Sequence, residues 1–188
     1  LQAVTGGTNA EIGALGTEIL NVANNTRYSA KEVGEAAVLL GQAGFDASES
    51  LAAIGAVADL ATGTLSNMAD VADLVTTVIR SYKLEASDAR EVTDIFANSI
   101  NKSKATIDKL RTAFNYIGPI ANQVGLSLKT TTAMLDYLYD SGLKGSTAAT
   151  GLRQTLSRLV NPSEKVKTIF KSMGADLTKI NPSLSDMR

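Results

Sequence analysis

The sequence predicts an all-α protein. Helix-start signals recur at intervals of roughly 20 residues, apolar residues follow them at spacings of three and four, and no stretch alternates apolar with polar residues as a strand would. About eight short helices are expected, as a helical-hairpin array or an irregular bundle. Composition agrees. Of 188 residues, 44% are hydrophobic but only 5% are aromatic, so the helix faces are built from Ala, Leu, Val and Ile. Such helices approach closely but bury little area each. At roughly 25 cal/mol per Å², a core of that kind is modest in stability.

The same counts exclude chemistry. The chain has no cysteine, histidine or tryptophan, which removes disulfides, thiolate nucleophiles, imidazole bases and thiolate or imidazole metal sites. No cofactor is expected, and no enzyme. A formal charge of −1 gives no general attraction to nucleic acid or anionic lipid. No run reaches the roughly 18 apolar residues that span a bilayer, and no signal peptide is visible. With Leu1 at its start and no closing signal after Arg188, the chain reads as a domain cut from a longer polypeptide. Its expected division is a weakly structured lead-in over 1–25, a helical core over 26–175 and a tail over 176–188.

The lead-in opens on the flexible Thr5–Asn9 and then carries a weak helical pattern through Ile12, Leu15, Ile19 and Leu20. Gly13 and Gly16 weaken it by on the order of 1 kcal/mol each, which implies either loose packing or dependence on sequence upstream. Ser29 with Glu32 forms a capping box for a helix faced by Val33, Ala36, Ala37 and Leu40, ended by Gly41 and Gly44. Asp46 with Glu49 caps the next, with Leu51, Ile54, Ala58 and Ala61 inward. Ser66 is expected to cap a third, faced by Met68, Val71, Ala72, Val75, Val78, Ile79 and Tyr82. Asp88 with Glu91 starts a fourth, faced by Val92, Ile95, Phe96 and Ile100.

The fifth begins near Thr106 and places Ile107, Leu110, Phe114, Ile117, Ala121 and Val124 at helical spacing. Gly118-Pro119 falls inside it, where proline should kink or break the helix. Ser127 opens a sixth, with Leu128, Met134, Leu135 and Leu138 inward. Gly142 and Gly145 then shape a turn, and Ser146 or Thr147 can cap a seventh helix faced by Leu152, Leu156, Leu159 and Val160. Asn161-Pro162-Ser163-Glu164 is a strong start for an eighth, carrying Val166, Ile169, Phe170 and Met173 and stopped by Gly174. Pro182 marks an extended tail.

A longer period overlies these starts. Phe45, Leu84 and Leu126 each stand just before a helix start, Phe45 to Leu84 being 39 residues and Leu84 to Leu126 being 42. Stacked helical hairpins would produce that recurrence.

Four groups invite functional readings, and a plainer one outweighs each. Asp70 with Asp73, and Asp136 with Asp140, each sit one turn apart and could hold a cation, but solvated helix faces explain them more simply. Lys102, Lys104, Lys109 and Arg111 lie near Phe114 and Tyr116, yet Asp108 interrupts the patch and Phe114 falls on the core face. Tyr137 and Tyr139 read as helix-end packing. The glycine-rich run from Gly142 suggests a phosphate cradle, but it lacks the preceding strand and the P-loop spacing, so a helix–turn–helix corner is preferred.

Five stretches taken in order resemble a known family. They are Thr26-Arg27-Tyr28-Ser29-Ala30-Lys31-Glu32-Val33, Leu40-Gly41-Gln42-Ala43-Gly44-Phe45, Leu60-Ala61-Thr62-Gly63, Tyr116-Ile117-Gly118-Pro119-Ile120-Ala121, and Gly142-Leu143-Lys144-Gly145-Ser146 through Leu152-Arg153. Over roughly residues 24–175 they resemble the core region of phage tail tape measure proteins, the minor tail proteins of long-tailed phages and prophages. Ala149 departs from the pattern, which usually has glycine there, and should make the turn less permissive. The resemblance implies Tyr28, Ser29, Glu32, Gly44, Gly118, Pro119, Gly142, Lys144, Gly145, Leu152 and Arg153 as structural motif residues. It also implies a place inside the virion tail tube, a part in tail assembly and length, and the tail tube and tail assembly chaperone proteins as partners, with self-association open. The other reading is a helical-repeat module that recruits a tail chaperone or tube protein.

Overall fold

A computed structural model describes residues 2–160 and 162–173. Along them run α1 (Gln2–Thr5), α2 (Asn9–Asn25), α3 (Ala30–Gln42), α4 (Ala47–Gly63), α5 (Met68–Tyr82), a 3-10 turn (Ala86–Asp88), α6 (Ala89–Lys102), α7 (Ile107–Gln123), α8 (Leu128–Asp140), α9 (Gly145–Val160) and α10 (Glu164–Ser172). No strand occurs among the described residues. The expected cap at Asn161, the stop at Gly174 and the tail with Pro182 lie outside them, as do the side chains of Leu159, Val160, Val166 and Phe170.

Two rows of helices form. Helices α3, α5, α7 and α9 pack side by side in one, and α2, α4, α6 and α8 in the other, with successive helices crossing between rows. This is the hairpin array, not an irregular bundle. Side-chain hydrogen bonds between neighbours in a row repeat at nearly constant separation: Tyr28 to Ser66 over 38 residues, Thr77 to Asn115 over 38, and Ser99 to Asp136 over 37. Each hairpin is therefore fastened mainly to the one before it.

Helix ends explain the period. Five inter-helix turns share the bond pattern of Phe45 N–H to the Leu40 carbonyl (3.1 Å), repeated from Ser66 to Ala61, Leu84 to Ile79, Leu126 to Ala121 and Leu143 to Leu138. This six-residue closure is the Schellman motif, and the residue before each donor must take positive φ. Gly44, Gly125 and Gly142 do so freely, whereas Leu65 (φ 55°) and Lys83 (φ 56°) do so against their own Cβ. Phe45, Leu84 and Leu126, whose recurrence the sequence shows, are the residues that close three of these turns. Replacing the exposed Lys83 with glycine is expected to stabilise the fold by about 1 kcal/mol. A urea transition should move to a higher midpoint at unchanged slope; no increase would show that the surrounding turn already relieves the strain.

Several starts differ from expectation. Asn67, not Ser66, caps α5, accepting from Ala69 N–H at 2.8 Å; Ser66 is already committed to the Schellman turn. Asp88 accepts from Glu85 N–H (2.9 Å), so a 3-10 turn precedes α6 and the cap pairing sits three residues early. Gly41 does not end α3 but lies buried within it, where an added Cβ would stand 2.9 Å from Thr5 Cγ2. Helix α9 starts at Gly145, which puts Ser146 and Thr147 inside its first turn instead of at its cap. Met134 is exposed, not inward, and so is Leu20.

Pro119 does not end α7, which stays helical from Ile107 to Gln123. Lacking an N–H, it forfeits only the bond to the Asn115 carbonyl. The opening stretch, expected to be loose, is a helix with a complete Thr8–Glu11 capping box and with Leu15, Ile19 and Val22 buried. Its glycines fall on the open face, leaving the apolar side free to pack on α3 and α4. Phe45, Phe96, Phe114 and Tyr139 are the bulkiest fully buried side chains among the described residues.

Candidate functional site

The motif residues do not converge on a pocket. The structure distributes them over the joints between hairpins. At the first joint the buried Tyr28 donates its hydroxyl to the Ser66 carbonyl at 2.5 Å. Arg27 donates to the same oxygen at 3.1 Å and lies 5.0 Å above the Tyr28 ring. Ser29 and Glu32 complete the α3 capping box, with Ser29 N–H donating to the carboxylate at 2.8 Å and Glu32 N–H to the hydroxyl at 3.3 Å. The Ser29 backbone bond, with its hydroxyl second, holds the exposed Glu32 carboxyl below the usual glutamate range.

The second joint is built on Gly44. Its carbonyl accepts from Arg80 Nη2 at 2.6 Å, and the Ala43 carbonyl accepts from Nε at 3.2 Å. The guanidinium lies 4.7 Å over the Phe45 ring, so α5 grips the end of α3 by both charge and stacking. At the third joint Gly118 permits the crossing of α5 and α7. A Cβ there would stand 2.8 Å from both Cβ and Oγ of Ser81.

The fourth joint is the run from Gly142. Gly142 takes φ 88°, the Lys144 carbonyl accepts from Ala148 N–H at 2.9 Å, and Gly145 brings α9 against α7. A Cβ on Gly145 would be 3.2 Å from Lys109 Cα, so this glycine serves close approach, not positive φ. Beside it Tyr139 donates to the Lys109 carbonyl at 3.1 Å, and Lys109 Nζ lies 5.3 Å over the Tyr139 ring. Burial, then the nearby Asp136, pushes the Tyr139 hydroxyl well above the usual tyrosine range. Leu152 packs partly buried on the core, and Lys144 and Arg153 are exposed. Ala149 is fully buried inside α9, past the turn, so a methyl group there strains nothing.

The acidic pairs are fasteners, not merely solvated faces. Arg111 of α7 reaches Asp70 at 2.8 Å and Asp73 at 3.7 Å on α5, as well as Asp108 at 3.4 Å. Asp136 accepts from Ser99 at 2.5 Å and Ser103 at 3.1 Å, and Asp140 accepts from Lys104 N–H at 2.8 Å. These groups are partly exposed, so each ion pair is worth at most about 1 kcal/mol. Their value lies in register. Ser66, Arg80 and Arg111 were not legible as joint residues, because their partners lie one hairpin away and no short motif joins them. Among the described residues no group of three or more His, Cys, Asp or Glu could hold a metal ion, and no helix is long and apolar enough to cross a membrane.

Comparison with known proteins decides the family. The model for phage-related minor tail proteins matches residues 16–188. The chain belongs to this minor tail protein family. It is a domain of the tape measure type: it is 31% identical to the tape measure protein of Pneumococcus phage Dp-1 over 188 residues, which is 100% of this chain and 16% of that protein. It is likewise 31% identical to the probable tape measure protein of Escherichia phage P2 over 176 residues, 93% of this chain and 22% of that protein. The minor tail domain therefore spans roughly a fifth or less of the relatives it matches. No solved structure matches it.

Proposed function

We propose that this domain helps set tail length and drive tail assembly, folding as a hairpin array outside the tail tube and opening out along the tube interior. The observation that carries this reading is the fastening of each hairpin mainly to its predecessor. A row held by nearest-neighbour contacts can come apart one hairpin at a time, without a single global barrier. The small-residue core keeps each step shallow. In the array the longest helices have 17 residues, or about 25 Å each, whereas 188 residues as continuous helix would reach roughly 280 Å. A ruler needs the second length.

Tail tube and tail assembly chaperone proteins are the partners this role calls for, and the motif residues from Tyr28 to Arg153 act in it by holding the joints. The test is an in-frame deletion of residues 29–174 from the full gene, with electron microscopy of the tails. Tails shortened by roughly the helical length are expected, at about 1.5 Å per residue removed. Absent or unregulated tails would replace the ruler with an assembly module that starts or stops the tube. Normal tails of unchanged length would remove both roles.

A further inference from the structure

Helices α6 and α8 meet less closely than the other lateral neighbours of their row. Between them lie two adjoining clefts of about 370 and 570 Å³ that share Glu91, Ile95 and Lys129, so they form one groove along both helices. Its apolar lining is Leu84, Val92, Ile95, Leu126 and Leu128 toward one end, joined toward the other only by the exposed Ala133. The walls are acidic on balance: Asp88, Glu91, Asp94 and Asp136 face only Lys102 and Lys129. Glu91 and Asp94 are exposed, and neither forms an ion pair among the described residues.

One element of the chain has the opposite character. Helix α10 carries Lys165, Lys167 and Lys171 against Glu164 alone. Ile169 within it and Met173 just past its end, one turn apart, are 47% and 67% exposed. Among the described residues it makes no extended contact with any other helix. Lys165 stands one turn before Ile169, so a cation and two apolar side chains line up at i, i+4 and i+8.

Within one copy α10 cannot easily reach the groove. Helix α9 sits in the opposite row from α8, and the next place in the α8 row lies on the flank of α8 away from α6, across α8 from the groove. Only residues 161–163 join α9 to α10, a reach of about 10 Å, which is one helix diameter. We propose that α10 of a second copy lies in the α6–α8 groove, its Ile169 and Met173 on the apolar floor and its lysines against Glu91 and Asp94. Copies would then be linked head to tail while their arrays are folded. This contact forms on the folded array, before it opens, so it can fail while the ruler role stands.

The chain's lack of cysteine makes the test direct. Chains with Ala133→Cys are mixed with chains carrying Ile169→Cys and treated with a short bis-maleimide, with circular dichroism to verify that both keep their helix content. Both positions are exposed, so neither substitution removes core. The expected product is a covalent heterodimer. Glu91→Lys with Asp94→Lys should cut its yield about tenfold at low salt, and Lys165→Glu with Lys167→Glu in the partner should restore it. No heterodimer from two folded chains would overturn the proposal. So would a yield indifferent to charge reversal, or intramolecular linkage in a monomer carrying both cysteines, which would place α10 on its own groove.

Discussion

Phe114→Ala is expected to destabilise the domain by about 3–5 kcal/mol, a fall in Tm on the order of 10 °C for a chain of this size. Phe114 is fully buried on α7. Its ring meets Phe96 of α6 at 5.4 Å and Tyr82 of α5 at 6.3 Å, both in tilted or edge-on geometry. One side chain thus holds three helices from both rows. The chain has only four phenylalanines and five tyrosines, and the small residues around them cannot swing into the space left behind. The loss therefore includes both transfer and cavity contributions. Calorimetry on the full chain should show the fall, and should also show the transition broadening as the hairpins on either side of α7 lose their shared support. A cost below about 1 kcal/mol would mean that the array relaxes to fill the void, contrary to tight interior packing.

Gly118→Leu should cost about 2–4 kcal/mol, although glycine is a poor helix residue and its replacement in a helix interior ordinarily gains up to about 1 kcal/mol. The crossing decides the sign. The first atom of any side chain at position 118 would fall 2.8 Å from Ser81 Cβ, which cannot rotate away. Relief requires α5 and α7 to separate, which also stretches Arg111 from Asp70 and Thr77 from Asn115. Denaturant unfolding measures the cost, and a Gly118→Ala, Ser81→Gly double variant supplies the control. Removing the Ser81 side chain should recover most of what Gly118→Ala loses, as a coupling between the two sites. Additive losses would locate the effect elsewhere.

What could be read in the sequence was whatever is local. Capping boxes at Ser29–Glu32 and Asp46–Glu49 involve residues three apart, and the structure places them as expected. Period and hairpin spacing were visible because an apolar residue often closes a Schellman turn, and Phe45, Leu84 and Leu126 do so here. Where two motifs compete for one residue, the reading failed. Ser66 looks like a cap but closes a turn, and Asp88 caps a 3-10 turn instead of α6. Glycine was ambiguous for a related reason. Gly142 and Gly145 look alike in sequence, yet one supplies a backbone angle and the other a missing methyl group, and only the neighbour, Lys109, tells them apart. The joints themselves depend on pairs 30 to 38 residues apart, beyond the range of any helical periodicity.

That near-constant reach has a further consequence during synthesis. Each hairpin finds the surface it needs in the forty or so residues that emerged just before it, and nothing early in the chain must wait for anything late. At translation speeds of about 5–20 residues per second, a new hairpin is completed every few seconds, far longer than helices need to form and dock. The domain can thus be folded from its first hairpin onward while the ribosome is still extending it, and an incomplete chain exposes only the flank of its newest pair of helices.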